Sequence, residues 1–435
     1  MSKLNTRMSA SGKLLAALTA MLVAASLAGC ESQVAGSPAA GEADLQQLAV
    51  GNYPTDPLDV RYAHQHGSLD GRALALARLA DNVVIGADVD PTFGHNVLAR
   101  WFDSLATAKS SQVLAGVVRP VLENNGMMLG FSAAASTREL PKTRQRDRSG
   151  NFSPFDGAEG DPEATAFNVT VLQFPDQQRA QAAADQMEAA DFAVAADQNV
   201  RVVLNKQKSA KAHWRPGVPS MAGTLAYGQY VVNVYAAQPK PDQNSLSELV
   251  EKVFAAQLPL LDRAPALSPH DIFRLDYDPD AMLRRTLHPG YFHLDPKDEA
   301  THTPRGLIHF VDDQATWKKL FDDNGVDRIS TASNGGLLMR ASDATAAASL
   351  WSGIKGSTGG SAESPAHVPD VFCNTKTTEA SGVFWSAYDV KSTGTVYVCT
   401  LHYDRYVAQV ASPQLTDVQQ RAAAQYALLA NSQYM

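Results

Sequence analysis

The stretch YVVNVYA at residues 230–236 returns as YVAQVAS at residues 406–412. Both stretches are rich in β-branched and aromatic residues, which favour β-strands. Each is followed by a proline, a capped helix and a leucine-rich end, QLPLL at 257–261 and QYALL at 425–429. This repetition predicts two related domains of the α+β class, each an antiparallel sheet packed with helices. The alternative is a chance similarity, because many α+β domains share such an order of elements.

The domain boundary is predicted from a break in this pattern. Pro265 and Pro269 interrupt the chain between the leucine-rich end of the first half and the start of the second. We therefore expect an N-terminal domain over residues 51–262 and a C-terminal domain over residues 271–435.

Hydrophobic periodicity predicts the elements around the repeated strands. We expect a strand over residues 167–174, a helix over 177–192 and another helix over 245–261. A long helical stretch is expected over residues 96–122, and an extended segment over 307–311.

The first residues have the organisation of a secretory signal. Lys3, Arg7 and Lys13 form a positive region, and an apolar run follows over residues 14–27. A membrane-spanning helix needs roughly 18 apolar residues or more, so this shorter run indicates a signal peptide over residues 1–29.

The tetrapeptide LAGC, which ends at Cys30, resembles the lipobox of bacterial lipoproteins. In such proteins the cysteine thiol accepts a lipid and becomes the first residue of the mature chain. The resemblance implies lipid attachment at Cys30, with acyl chains such as palmitate, and a tether over residues 30–50. It places the protein at the extracytoplasmic face of the cell membrane. A chance cysteine after an ordinary signal peptide is the alternative.

Cys373 and Cys399 are the remaining cysteines, and both lie in stretches typical of strands. Outside the cytoplasm thiols tend to be oxidised, and once Cys30 carries lipid these two have only each other as partners. We therefore predict a structural disulfide. A redox-active pair is the alternative, although redox motifs usually place their cysteines closer together.

Composition excludes several classes of protein. The 435 residues carry a formal net charge of -8, and 45% are hydrophobic and 19% charged. This content argues against a disordered chain. The acidic balance argues against nucleic acid as a partner, because such binding needs a basic surface. Removal of the signal peptide would make the exported chain more acidic still.

Short motifs associated with catalysis or metal binding are incomplete. Ser352 and Lys355 match the S-x-x-K of serine acyl-transfer enzymes, but the Lys-Thr-Gly that this chemistry needs is missing. The acidic run at 276–280 lacks the glycine and the final glutamate of an EF-hand loop. His64 and His66 could form only a weak chelate. We therefore predict no catalytic residue, no metal site and no cofactor.

Four aromatic residues of the last predicted sheet could face a ligand: Trp385, Tyr388, Tyr403 and Tyr406. A cleft lined by aromatic rings between a sheet and its helices would suit an apolar or glycolipid ligand. Packing within the core and on the sheet surface is the alternative for the same residues.

The chain resembles a family of tandem-domain lipoproteins of unknown function from mycobacteria, nocardiae and related actinobacteria. Besides the lipobox, the resemblance rests on RLADNVV at 78–84, DVDP at 88–91, FPD at 174–176 and CTLHYDRYVA at 399–408. It implies a cell-envelope lipoprotein with two α+β domains, and it implies no catalytic residue.

These features favour a membrane-anchored lipoprotein that binds an envelope ligand or a partner protein without catalysis. Two alternatives stay open. The first is a cell-envelope hydrolase whose site is assembled from distant residues, and the second is a structural spacer.

Overall fold

Two antiparallel sheets, one in each half of the chain, form the centre of the structure. A computed structural model describes residues 43–58, 68–103, 113–139, 163–290, 299–311, 313–357, 360–377 and 394–433. Residues 44–435 belong to one compact unit. Both sheets are packed with helices, which confirms the predicted α+β class.

The N-terminal sheet has seven strands, and every neighbouring pair is antiparallel. Its strands are β1 (His95–Asp103), β2 (Leu129–Ser136), β3 (Ala166–Gln173), β4 (Val200–Val202), β5 (Lys211–Trp214), β6 (Ser220–Tyr227) and β7 (Tyr230–Ala237). Their order across the sheet is β1-β2-β3-β7-β6-β5-β4.

The C-terminal sheet has six strands and is also antiparallel throughout. Its strands are β8 (Thr301–His302), β9 (Arg328–Ala332), β10 (Gly336–Arg340), β11 (Val371–Thr377), β12 (Thr395–Tyr403) and β13 (Tyr406–Ser412). Their order is β11-β12-β13-β10-β9-β8.

The two sheets share one topology. The order β1-β2-β3-β7-β6-β5 corresponds strand for strand to β8-β9-β10-β13-β12-β11, and β4 is an addition at the edge of the first sheet. The similar sequence stretches at 230–236 and 406–412 form the equivalent strands β7 and β13. The repetition seen in the sequence is therefore also a repetition of topology.

Ten α-helices lie in the part of the chain that the structure describes. They are α1 (Ser68–Ala80), α2 (Gly86–Val89), α3 (Arg119–Asn124), α4 (Gln177–Ala193), α5 (Gln243–Asp262), α6 (Pro269–Phe273), α7 (Pro304–Ile308), α8 (Gln314–Asp323), α9 (Ala344–Ser357) and α10 (Leu415–Asn431). The equivalent helices α4 and α9 begin alike, because an aspartate side chain accepts a hydrogen bond from the N–H three residues later. These bonds join Arg179 to Asp176 (2.7 Å) and Ala346 to Asp343 (2.9 Å).

Each sheet has helices on both faces. In the N-terminal half, α1 and α5 cover one face, with Phe131, Val232 and Phe254 in the core, and α4 packs on the other face against Leu172 and Val231. In the C-terminal half, α9 lies on one face and α10 packs on β12 and β13. None of the described helices is long and apolar enough to cross a bilayer.

One buried glutamine in the last helix of each half holds a neighbouring backbone segment, and we call this arrangement the glutamine clamp. In both clamps the amide NH₂ donates to a carbonyl and the amide oxygen accepts from the N–H two residues later. The bonds are Gln257 to Asn82 O (2.8 Å), Val84 N to Gln257 (3.1 Å), Gln425 to Arg285 O (2.8 Å) and Leu287 N to Gln425 (2.7 Å).

The segment around α2, one of the stretches behind the family resemblance, joins the two halves. The N–H of Gly86 donates to the side chain of Gln314 at 2.9 Å, and the guanidinium of Arg305 donates to the carboxylate of Asp88 at 3.0 Å. A Cβ at Gly86 would lie 2.0 Å from the carbonyl oxygen of Phe93, so the close approach here requires glycine.

A fully buried histidine lies at the same contact. His309 follows α7 in the C-terminal half, and its Nε2–H donates to Ala80 O and Val83 O of the N-terminal half, each at 3.1 Å. Its ring meets the ring of Phe131 edge-on at 4.9 Å. The sequence marked the apolar segments on both sides of this contact and did not indicate that a histidine would join them.

Two predicted elements were wrong. Residues 95–103, within the predicted long helix, form strand β1, because pairing with β2 buries Leu98 and Phe102. In the described part of that stretch, helix α3 begins at Arg119, near its end. Residues 304–308 form helix α7 where an extended segment was expected, because Pro304 begins a helical turn that buries Leu307.

The predicted disulfide is confirmed. Cys373 and Cys399 lie directly opposite each other on β11 and β12 and are bonded, closing a loop with a sequence separation of 26. Cys373 lies on the edge strand of the C-terminal sheet, so the bond ties that edge to its neighbour.

Candidate functional site

A row of polar side chains crosses the N-terminal sheet on the face that α4 covers in part. Residues paired across antiparallel strands point to the same face, so such a row forms one surface. The row consists of Arg100, Ser132, Thr170, Asn233, Thr224 and Lys211. The adjacent row contributes Asn168, Tyr235 and His213. We call these nine residues the N-terminal polar face.

Hydrogen bonds order the centre of this face. Ser132 donates to Asn168 Oδ1 at 2.7 Å and lies 2.9 Å from the hydroxyl of Thr170. On the next pair of strands, Asn233 Nδ2 donates to Thr224 Oγ1 at 2.8 Å. Ser132, Asn168, Thr170 and Thr224 are buried, so these bonds form a fixed base beside the half-buried Asn233.

Solvent reaches the polar face at the middle of the sheet. Asn233 and Tyr235 on β7 are half-buried, although β7 is the central strand of seven. The alternate residues Val232 and Val234 on the opposite face are fully buried. Helix α4 therefore leaves part of the sheet uncovered above β7.

A charged cluster forms one wall beside the polar face. Glu188 near the end of α4 is buried, with a side chain 3% exposed, and Arg201 donates to both of its carboxylate oxygens at 3.2 and 3.0 Å. His213 Nδ1 lies 3.5 Å from Glu188, and its Nε2 lies 3.9 Å from Asp191. The Arg201 guanidinium also stacks 4.4 Å above the ring of Phe192.

Burial changes the pKa of one carboxyl group in this wall, that of Asp191. Desolvation raises the pKa of the Asp191 carboxyl, nearby His213 opposes this rise and Glu188 adds to it. Glu188 is paired with the Arg201 guanidinium. The wall presents one carboxyl group, that of Asp191, which retains its proton more readily than an exposed aspartate.

The described side chains around His213 and Ser132 have the following hydrogen-bond partners. Within the described residues, His213 makes no hydrogen bond to a hydroxyl or thiol, so it activates no nucleophile there. Ser132 bonds only to amide and hydroxyl side chains. Across the same part of the chain, no group of three or more potential ligands could hold a metal ion.

Three of the residues predicted for the site lie outside the described part of the chain. These are the lipid-attachment residue Cys30 and the aromatic residues Trp385 and Tyr388. His64 and His66 also lie outside it. The corresponding predictions stay predictions.

The two described aromatic residues of that set pack around the hairpin of β12 and β13. Tyr403 meets Tyr426 of α10 edge-on at 5.3 Å, and the Arg285 guanidinium lies 5.9 Å from the ring of Tyr406. That these two rings face a ligand stays a prediction.

Sequence reasoning did not find the polar face. Asn233 interrupts an otherwise apolar strand, and Asn168 and Thr170 do the same in β3. The sequence does show polar residues at alternate positions of these two strands. It does not show that β3 and β7 are neighbours, which is what joins these residues into one surface.

Models of a protein family match most of the chain. The N-terminal domain of unknown function DUF7373 matches residues 62–277, and its C-terminal counterpart matches residues 282–432. The chain belongs to this family. The DUF7373 match begins before α1 and ends just after α10, so it includes both sheets.

Other comparisons add little to the DUF7373 assignment. No curated protein matches the sequence. Among solved structures, the chain is similar to the extracellular domain of PknH from Mycobacterium tuberculosis, with 15% identity and a TM-score of 0.27. That similarity covers 46% of this chain and 99% of the PknH domain.

Proposed function

We propose that this DUF7373 protein is a lipid-anchored, extracytoplasmic binding protein, which holds a hydroxyl-rich ligand on the N-terminal polar face and catalyses no reaction on it. The observation that carries the proposal is the half-buried pair Asn233 and Tyr235 at the centre of a seven-stranded sheet. A central strand is normally covered on both faces when its sheet has helices on both sides. Polar residues left open at this place favour a binding surface.

The chemistry of the face favours a sugar-like ligand over an apolar one. The half-buried amide of Asn233 can both donate and accept hydrogen bonds, as the hydroxyl groups of a sugar do. The ring of Tyr235 offers a flat apolar surface of the kind that packs on a sugar ring. The glycan part of an envelope glycolipid fits this description, and an acyl chain does not.

Replacing Asn233 with leucine is expected to weaken ligand binding at least about tenfold, or about 1.4 kcal/mol. The variant removes both polar atoms and leaves Thr224 Oγ1 without its donor. Saturation-transfer NMR and calorimetry with a panel of envelope mono- and oligosaccharides would measure the change. Native mass spectrometry of the purified full chain would identify a co-purifying glycolipid.

Gln178→Leu is the matched control, because Gln178 is an exposed amide on α4 away from the face. It should bind as the parent protein does. If no saccharide or glycolipid binds, or if Asn233→Leu and Gln178→Leu bind equally well, the proposed function is wrong.

Replacing Cys30 with alanine is expected to release the protein from the membrane. The lipobox resemblance makes the thiol of Cys30 the point at which the lipid is attached, and stable anchoring needs more than one acyl chain. Detergent phase partitioning of cells that express the full chain would show the parent in the detergent phase and the variant in the aqueous phase. Ser32→Ala serves as the control, and retention of Cys30→Ala with the membrane would contradict the anchor.

A further inference from the structure

The C-terminal sheet carries a second polar surface at the position equivalent to the N-terminal polar face. Gln409 on β13 occupies the place of Asn233, and Thr400 on β12 occupies the place of Thr224. The same bond links them, because Gln409 Nε2 donates to Thr400 Oγ1 at 3.0 Å. This surface is therefore a repeat of the first in both register and hydrogen bonding.

Its edge differs from the N-terminal face in chemistry. Asn374 on β11 is equivalent to His213, since each lies two residues after the strand partner of the equivalent threonine, Thr400 or Thr224. Lys355 on α9 is equivalent to Glu188, since each lies the same distance after the aspartate that begins its helix. A buried carboxylate and a histidine are thus replaced by an amine and an amide.

Several buried polar atoms of this surface make no hydrogen bond within the described part of the chain. They are both amide atoms of Asn374, whose residue is 1% exposed, and the amide oxygen of Gln409, also 1% exposed. Leaving such atoms unpaired costs about 1–3 kcal/mol each. Buried polar groups in native proteins nearly always have a partner, which here has to come from outside these residues.

Two lysines flank the unpaired amide. Lys376 lies two residues beyond Asn374 on the same face of β11, and no described carboxylate forms an ion pair with it. Burial lowers the pKa of its amine to about 8, as expected for a cation short of a partner. On the other side of Asn374, the Lys355 amine lies 5.8 Å from the ring centre of Phe372 and 4.9 Å from that of Trp351.

We propose that this surface binds the oxyanion of a small, hydroxyl-bearing molecule, such as a sugar phosphate or a glycerol phosphate. Lys376 supplies the opposite charge, and Asn374 Nδ2 donates to an anion oxygen. The amide oxygens of Asn374 and Gln409 accept from hydroxyl groups of the same ligand. The site lies in the other half of the chain from the N-terminal polar face and takes a ligand of different charge.

Calorimetry on the full chain would test this site with three probes: inorganic phosphate, glycerol 3-phosphate and vesicles of phosphatidylglycerol. We expect glycerol 3-phosphate to bind more tightly than inorganic phosphate, because its glycerol carries two alcohol hydroxyl groups that can donate to the two amide oxygens while its phosphate contacts Lys376. Binding to vesicles alone would assign the oxyanion to a lipid headgroup, and binding to the soluble probes alone would assign it to a free metabolite.

Lys376→Gln should reduce binding at least about tenfold, and Asn374→Leu should do the same. Lys208→Gln, an exposed lysine of the N-terminal half, is the control and should leave binding unchanged. A second readout uses the parent protein: acylation of Lys376, mapped by mass spectrometry, should slow when glycerol 3-phosphate is present.

Three outcomes would overturn the proposal. The first is no binding of any probe, the second is unchanged binding by Lys376→Gln, and the third is acylation of Lys376 that ligand does not slow. Any of these would leave buried water, or a residue outside the described part of the chain, as the partner of the unpaired amides. Because the N-terminal polar face is untouched by these variants, saccharide binding there serves as a separate measure of the proposed function.

Discussion

Replacing His309 with alanine is expected to lower the free energy of unfolding by about 4 kcal/mol. His309 is 0% exposed and its Nε2–H is shared by the carbonyls of Ala80 and Val83. The variant removes the His309 donor from Val83 O, leaves Ala80 O with the N–H of Val83, and opens a cavity beside Phe131. Because these contacts join the two halves, the loss affects the whole unit.

Chemical denaturation followed by tryptophan fluorescence would measure this change. His270→Ala is the matched control, because the side chain of His270 is 69% exposed and should contribute little. A loss below about 1 kcal/mol for His309→Ala would contradict the assigned role, since that is the range of ordinary surface substitutions.

The same histidine makes stability depend on pH. Burial is the main cause that lowers the pKa of His309 from 6.5 to about 4. Between these values the unfolded chain takes up a proton and the folded chain does not. The contribution of neutral His309 to the free energy of unfolding is therefore complete above pH 6.5. It is lost as the pH drops towards 4, by about 3 kcal/mol in all. His309→Phe should lose less stability than the parent over this interval.

Removing both glutamine clamps, with Gln257→Ala and Gln425→Ala together, is expected to destabilise the protein by about 5 kcal/mol. Both side chains are 0% exposed, and each satisfies one backbone N–H and one carbonyl. Alanine leaves all four of these buried groups unpaired. The two sites lie in different halves, so their effects should add.

Single and double variants measured in the same denaturant series would test this additivity. Gln178→Ala, on an exposed part of α4, is the control and should change the stability by less than about 0.5 kcal/mol. If either clamp variant is as stable as this control, the clamp does not hold its segment. Effects that add poorly would show that the two clamps share a structural role.

The two halves repeat individual hydrogen bonds as well as the order of their strands. Each half has a last helix that holds a backbone segment and a sheet with an Asn or Gln bonded to Thr at the same place. The two halves differ in charge, since Glu188 in one is Lys355 in the other. A repeated scaffold with changed charges allows two sites of different specificity in one chain.

Much of the fold could be predicted from the sequence, because hydrophobic alternation and helix caps are local signals. Asp343 predicts the start of α9, and the alternation at 230–236 predicts β7. Residues 95–103 were mistaken for a helix because their apolar spacing suits either structure. Only the partner strand β2, distant in the chain, decides between the two.

The sequence by itself determined the α+β class, the repetition of the halves and the cysteine pair. These depend on residue type and spacing, which are properties of the chain. The tertiary structure alone decided which polar residues form a surface, because Ser132, Thr170 and Asn233 become neighbours only through strand pairing. It also decided that His309 joins the halves, since burial and hydrogen-bond partners arise only when distant segments pack together.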